Sequence, residues 1–295
     1  HGDLLADDVF CLDDGPRILD CLEFDPHLRQ GDVLADVAFL AMDLERLGRP
    51  DLGRALLNTH RELLGDDWPP SLAHHHIAYR AQVRAKVSAI RAAQGDADSV
   101  AAVRGLLELA RTHVRAGEVR LVLVGGLPGT GKSTLASALE GPLEADVLRS
   151  DVVRKELAGL PAEESASAAV GEGLYRPELV AATYDEMVSR ARGLLERGRS
   201  VVLDASWSDG AAREAAREAA RDASATLTEL RCVTSPDLAR RRIDARAAAG
   251  GDASDATPEV HAAMAARFDR WPEAVPVATD VGVEIASRRV LDLLR

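Results

Sequence analysis

The 295-residue chain is 46% hydrophobic and 28% charged, with only 3% aromatics, so it has material for two domains whose cores rest on Leu, Val and Ala. A net charge of −12 argues against a general nucleic-acid or anionic-membrane surface, and no apolar run approaches the roughly 20 residues of a membrane helix. Cys11, Cys21 and Cys232 lack metal-ligand spacing and fit free thiols of a reducing cytoplasm, and the acidic residues after His1 do not form a signal peptide.

The first part, residues 1–94, opens with a loop-rich stretch and continues as helices. Val33, Val37, Leu40, Leu44 and Leu47 recur at helical spacing over Asp32–Leu47, and Gly48 ends that helix. Further helices are expected over Leu52–Leu64 and Ser71–Ala93. His74, His75 and His76 are consecutive and point about 100° apart on a helix, so they form a solvated helix start rather than a metal site. Arg80, Arg84 and Lys86 belong to a polar helix face. Gly95 to Asp98 is the expected hinge, with Ser99 as N-cap of a linker helix reaching Ala116, so that residues 95–117 join the parts.

From residue 118 onward, strand-like and helix-like segments alternate. Strands are expected at Val119–Val124, Asp146–Arg149, Ser200–Leu203, Thr226–Val233 and Val277–Thr279. Helices are expected at Lys132–Glu140, Val152–Ala158, Pro177–Arg197, Gly210–Ala223, Pro236–Ala249, Pro258–Trp271 and Val283–Leu294. This is the pattern of an α/β domain, a parallel sheet covered by helices on both faces.

The first strand leads into Gly125-Gly-Leu-Pro-Gly-Thr-Gly-Lys-Ser-Thr134 and then a helix, which gives Gly-x-x-x-x-Gly-Lys-Ser its proper context. Backbone N–H groups of Gly126, Leu127, Pro128, Gly129, Thr130, Gly131, Lys132, Ser133 and Thr134, Pro128 excepted as a donor, are expected to wrap the phosphates at a helix N-terminus. Lys132 would bridge the β- and γ-phosphates and Ser133 would ligate Mg²⁺. Lys occurs elsewhere only at Lys86 and Lys155, so its retention here, in a chain that otherwise uses Arg, points to chemistry that needs an ammonium. The nucleotide is ATP, with GTP as the alternative.

Asp151 stands one short element after the loop, at a strand's C-terminal end. It reads either as the group that orients or deprotonates an acceptor hydroxyl or, like Ser150, as a helix cap; Arg154, one turn on, can clamp phosphate. Asp204 ends the apolar run Val201-Val-Leu203 and is expected to hold Mg²⁺ through water. Arg213 reads as a solvent-exposed residue. Arg242 and Arg246 share a helix face before the polar connection Gly250–Thr257, and are either a lid closing over the triphosphate or a solvated face. The Ala/Glu/Ser run between Ala158 and Tyr175 is a candidate substrate flap.

Gly126–Thr134, Ser150-Asp151 with Arg154, Val202-Leu203-Asp204, and Arg242 with Arg246 together resemble the phosphate-loop kinases of the zeta-toxin, polynucleotide-kinase and gluconate-kinase type. The resemblance implies a five-stranded parallel sheet, strand order 2-3-1-4-5, with Asp151 near the acceptor hydroxyl. His1-Gly-Asp-Leu4 and Ile18-Leu-Asp-Cys-Leu-Glu-Phe-Asp25 resemble the C-terminal lobe of aminoglycoside phosphotransferase-like kinases. There Asp3 matches the catalytic Asp and Asp20 a metal-binding Asp, while Asp8 stands where the family has a metal-binding Asn. The two parts resemble a bacterial family that joins such a domain to a phosphate-loop kinase. The chain, opening at His1 rather than Met, is expected to be a piece of a longer protein without the lobe that clamps nucleotide in the first domain. The expected activity is γ-phosphate transfer to a small hydroxyl acceptor. The alternatives are a regulatory nucleotide switch or slow ATPase, and a nucleotide or nucleic-acid 5′-hydroxyl kinase, which the net charge disfavours for long nucleic acids. Neither the acceptor nor the oligomeric state is legible in these residues.

Overall fold

Leu121-Val-Leu-Val124 has no polar side to offer water, so it needs cover on both faces. In the computed structural model, which describes residues 1–161, 176–249 and 257–294, it forms the fully buried centre of β3 (Arg120–Gly125). The chain divides into two units, His1–Glu118 and Val119–Arg295. In the second unit β3 pairs on one side with β5 (Val201–Asp204) and on the other with β6 (Thr226–Val233). Strand β4 (Asp146–Arg149) and strand β7 (Val275–Ala278) complete a five-stranded parallel sheet ordered β4-β5-β3-β6-β7 among the described residues. Counted within this unit the order is 2-3-1-4-5, as expected.

Alternation along β3 assigns each side chain to one of two cores. Leu121 and Leu123 pack with Met187 and Ala191 of α7 (Pro177–Leu195) and Ala216 of α8 (Gly210–Asp222). Val122 and Val124 pack with Leu135 and Leu139 of α5 (Lys132–Leu143) and Val290 of α11 (Val283–Leu293). Each such fully buried Leu or Val contributes roughly 1.5–3 kcal/mol. The helix expected to run to Trp271 stops at Arg267 as α10 (Pro258–Arg267). Pro272 bars its predecessor from helical backbone, and Trp271 instead packs into the core against Gly125.

A charge is buried within β6. Glu229 of β6 accepts two hydrogen bonds from Arg217, at 2.7 and 2.9 Å, and a third from the Trp271 indole N–H. A carboxylate at 7% exposure is tolerable only with its lone pairs so occupied.

The first unit is helical: α1 (Val33–Arg46), α2 (Pro50–Leu64), α3 (Pro70–Ala93) and α4 (Asp98–Ala116) enclose Leu34, Phe39, Met42, Ile77, Ala81 and Leu106. Helix α4, read as a linker, packs along α3 within this unit. Ser99 is not its N-cap: the helix starts at Asp98, and the Ser99 hydroxyl donates to Asp96 at 2.7 Å. The stretch read as loop contains a hairpin, β1 (Val9–Leu12) with β2 (Gly15–Ile18). It escapes a periodicity search because both strands are short and mostly exposed and Pro16 lies in one of them. The histidines are more than a solvated helix start. His74 Nδ1 lies 2.8 Å from His113 Nδ1, His113 Nε2 lies 3.0 Å from Glu45, and His76 meets Asp32 at 3.2 Å. The His113 hydrogen bond holds the Glu45 carboxyl below its ordinary value. Among the described residues no helix is long and apolar enough to cross a membrane.

Removing Glu229 leaves Arg217 and the Trp271 indole without their shared acceptor. Glu229→Ala is expected to cost about 2 kcal/mol of stability, less than a fully buried pair because Arg217 is partly solvated, read as a lower urea midpoint by far-UV circular dichroism.

Candidate active site

The turn after β3 must reverse direction while its amide groups face one centre. Gly126 (φ 131°) and Gly129 (φ 77°) adopt backbone that L-residues avoid, and a Cβ on Gly126 would sit 2.6 Å from the Cys232 carbonyl. The loop is braced from several sides. Thr130 Oγ1 donates to the Leu127 carbonyl at 2.7 Å, Thr279 Oγ1 donates to the Thr130 carbonyl at 2.6 Å, and the His261 ring bonds the Pro128 carbonyl through Nδ1 at 2.8 Å. The Lys132 ammonium donates to the Leu127 carbonyl at 3.0 Å, so it lies across the loop's mouth. Helix α5 begins at Lys132, which aims its free N–H groups and its positive end into the same space.

The register of the sheet sets Asp204 opposite Val124, directly beside that loop. Asp204 is 4% exposed, and burial pushes its carboxyl above the ordinary value; Lys132 and a hydrogen bond from Ser133 draw it back, while Asp151 pushes it further up. Arg149 lies 3.5 Å from its Oδ2. The adjacent Ser133 hydroxyl and Asp204 carboxylate are hard oxygen donors. Such a pair fits Mg²⁺ whose remaining ligands are phosphate oxygens and water.

Helix α6 (Ser150–Leu157) starts at the end of β4 with no side-chain cap, so neither Ser150 nor Asp151 is spent on capping. Asp151 instead accepts from Arg154 Nη1 at 2.7 Å, and Arg154 is only 8% exposed. Lys132, Ser133, Asp151, Arg154, Asp204 and Arg246 all line one cavity of about 570 Å³. Arg242 does not share it with Arg246. Its Nη2 donates to the Thr279 carbonyl at 2.6 Å, and its Nη1 lies against Gly131, which makes it a strut behind the loop. Residues 250–256 of the lid connection and 162–175 of the candidate flap lie outside the described residues.

The turn after Asp204 is a feature that motif reading does not find. Trp207 is fully buried at φ 52°, left-handed backbone that costs a bulky residue about 1–3 kcal/mol. Three groups hold it: its amide donates to the Tyr184 hydroxyl at 3.2 Å, its indole to the Leu203 carbonyl at 3.2 Å, and its carbonyl accepts from Arg213 Nη1 at 2.7 Å. The Tyr184 hydroxyl also shares a hydrogen bond with the Ser206 hydroxyl at 2.8 Å. Arg213, expected in solvent, is 4% exposed; it also bonds the Arg270 carbonyl at 2.8 Å and lies over the Trp271 ring. Its Ala/Arg/Glu-biased helix hides that role, since nothing in the local pattern separates Arg213 from its solvated neighbours. Ser206 and Ser208 are thereby presented to the cavity.

In the first unit, hydrogen bonds from the His1 ring to the Leu19 carbonyl and from the Leu22 amide to the His1 carbonyl bring the two acidic turns side by side. Asp8 is spent on the Leu5 amide at 2.9 Å, and Asp20 is exposed at φ 61°. Cys232 is buried, and burial pushes its thiol up to about 12, so it is unreactive.

A phosphate-binding loop at the end of the central strand of a 2-3-1-4-5 parallel sheet, with a strand-terminal Asp beside it, defines a phosphate-loop nucleotide-binding domain. Residues 121–271, just over half of the chain, match the AAA_33 family model, described as an AAA domain, and the chain belongs to that family. It is 46% identical over 272 residues to the uncharacterized proteins Rv2004c of Mycobacterium tuberculosis (strain ATCC 25618 / H37Rv) and Mb2027c of Mycobacterium bovis (strain ATCC BAA-935 / AF2122/97), covering 92% of this chain. The chain spans about half the length of these relatives, 54%. Among solved structures, a putative kinase from Chloroflexus aurantiacus J-10-fl is 23% identical with a TM-score of 0.46, covering 60% of this chain and 96% of that one. The Mycobacterium tuberculosis APS kinase CysC in complex with AMPPNP and APS is 22% identical with a TM-score of 0.44, covering 60% and 98%. The fold of the second unit rests on its own sheet order and phosphate loop.

The raised Asp204 carboxyl has a consequence for stability. The folded state takes up this proton more readily than the unfolded chain, whose carboxyl titrates near 3.8. The site's contribution is therefore fully present below that value and is lost as pH rises through the folded-state value. Asp204→Asn, without this penalty, is expected to raise the thermal unfolding midpoint at about pH 7.5, with the gain shrinking toward zero as pH falls to about 4. A gain independent of pH would contradict the buried-charge assignment.

Proposed function

We propose that the second unit is an ATP-dependent phosphotransferase that moves the γ-phosphate to a hydroxyl of a small acceptor, with GTP as the alternative donor. The observation that carries this reading is the shared cavity. Lys132 and Ser133 of the phosphate loop open into the same 570 Å³ as Asp151 and Arg154, and the space continues along α7, α8 and α10. The same cavity takes the phosphates at its loop end, and its extension along α7, α8 and α10 offers room beside them for an acceptor.

In this reading the phosphate-loop amides and Lys132 hold the triphosphate, and Ser133 and Asp204 would hold Mg²⁺. When bound, that ion neutralises charge on the β- and γ-phosphate oxygens. The acceptor O–H passes its proton to the Asp151 carboxylate as its oxygen bonds to the γ-phosphorus. The bond from that phosphorus to the β,γ-bridging oxygen breaks, and the electron pair leaves with ADP. Arg154 fixes the orientation of Asp151 through their ion pair, and Arg246 supplies positive charge within the same cavity. Arg242 acts indirectly, by bracing Thr279 and the loop.

The first unit's likeness to a phosphotransferase C-terminal lobe is supported by the juxtaposed turns of Asp3 and Asp20. Asp8 stands where that family has Asn and holds the Leu5 amide, and we assign the chemistry to the second unit, which carries the phosphate loop. The three free cysteines fit a reducing cytoplasm.

Lys132→Ala is expected to weaken binding of a fluorescent ATP analogue by about two orders of magnitude, through loss of a charge-assisted phosphate contact in a water-poor site. Asp151→Ala is expected to leave that binding within about twofold and to lower phosphate transfer to a metabolite extract about 10²–10⁴-fold, the usual contribution of a general base. Nucleotide affinity unchanged by the loss of Lys132 would sink the reading.

A further inference from the structure

A phosphate loop works only if its peptide N–H groups, and not its carbonyls, face the ligand. The Pro128–Gly129 peptide is the point where that orientation is least secured by the loop itself. The Pro128 ring locks φ but leaves ψ to rotate, and Gly129 follows at φ 77°, backbone that glycine enters at no steric cost. This peptide plane can therefore turn over with little strain, exchanging the Gly129 N–H for the Pro128 carbonyl. The Lys132 ammonium rests on the Leu127 carbonyl at 3.0 Å, one residue earlier, so this stretch of the loop lies where the β- and γ-phosphates are expected.

The Pro128 carbonyl is held from outside the loop. His261 of α10, 133 positions along the chain, meets it through Nδ1 at 2.8 Å. A carbonyl oxygen only accepts, so Nδ1 carries the hydrogen and donates it. In a trans peptide the N–H points opposite to the C=O, so anchoring one fixes the direction of the other. The same device recurs two residues on, where the Thr279 hydroxyl donates to the Thr130 carbonyl at 2.6 Å and Gly131 follows at φ 83°.

We infer that His261 is a positioning residue for the triphosphate: its bond to Pro128 holds the Gly129 N–H toward the distal phosphates. The inference rests on the nucleotide-binding half of the reading above and not on the acceptor. Donation to the carbonyl also polarises the peptide, which makes its N–H the better donor to an anion. Val260, Ala263, Met264 and Arg267 of the same helix line the cavity, so His261 joins that wall to the phosphate loop.

Displacement of a fluorescent ATP analogue from the full chain with Mg²⁺, by a non-hydrolysable ATP analogue and by AMP, tests this. His261→Leu should weaken the triphosphate about five- to tenfold, and AMP, which lacks the distal phosphates, less than about twofold. His261→Ala, a substitution that a half-buried helix position accommodates, should repeat that result. His261→Asn places an amide N–H where Nδ1 stood and should bring the triphosphate back to within about twofold of the unaltered chain. Triphosphate affinity indifferent to both Leu and Ala, equal losses for triphosphate and AMP, or no recovery with Asn would overturn the proposal. An affinity that does not depend on Lys132, measured in the same assay, is a different result: it overturns the nucleotide reading and this proposal with it.

Discussion

Parallel pairing of β3 with β5 sets Val124 opposite Asp204, and the chemistry of the second unit depends on that register. The loop that leaves β3 cannot move relative to the carboxylate that ends β5 without breaking a ladder buried on both faces. A slip of one residue would exchange the side chains of the two cores and turn Asp204 away from Ser133. The apolar run of β3, which looks like a core requirement alone, therefore also fixes the distance between the phosphate loop and the buried Asp204 carboxylate.

That arrangement gathers charge where burial disfavours it. Asp204 is nearly inaccessible, Arg154 and Arg213 almost so, and Trp207 sits in left-handed backbone. The surrounding structure offsets each cost with a specific partner: Lys132 and Ser133 for Asp204, Asp151 for Arg154, and two backbone carbonyls for Arg213. Strain and buried charge of this kind concentrate where a site must be held ready before its substrates arrive. By contrast Glu229, Arg217 and Trp271 form a buried charged cluster that does not line the cavity, and their task is to hold α8 and the segment before β7 onto β6.

Much of this was legible in the residues. The phosphate loop, the strand-terminal Asp204, the Asp151–Arg154 pair and the strand order all follow from local patterns, because each depends on residues close in sequence or on a resemblance carried by short motifs. The hidden features share a different physics. Arg213 and Arg242 use their charge on backbone carbonyls of Trp207, Arg270 and Thr279, and no side-chain pattern records which carbonyl a guanidinium will meet. The hairpin at Val9–Ile18 has almost no buried face to produce alternation. The His74–His113–Glu45 chain joins three helices of the first unit, so its members lie far apart in sequence.

The central claim is that phosphate leaving ATP goes to carbon-bound oxygen rather than to water. Its most direct test follows the label of γ-³²P-ATP in a small-metabolite extract treated with the purified chain. The account predicts label in organic phosphate esters, formed in proportion to ADP and lost with Asp151→Ala. Label recovered only as inorganic phosphate, at a rate the extract does not change, would contradict it and leave a nucleotide hydrolase in its place.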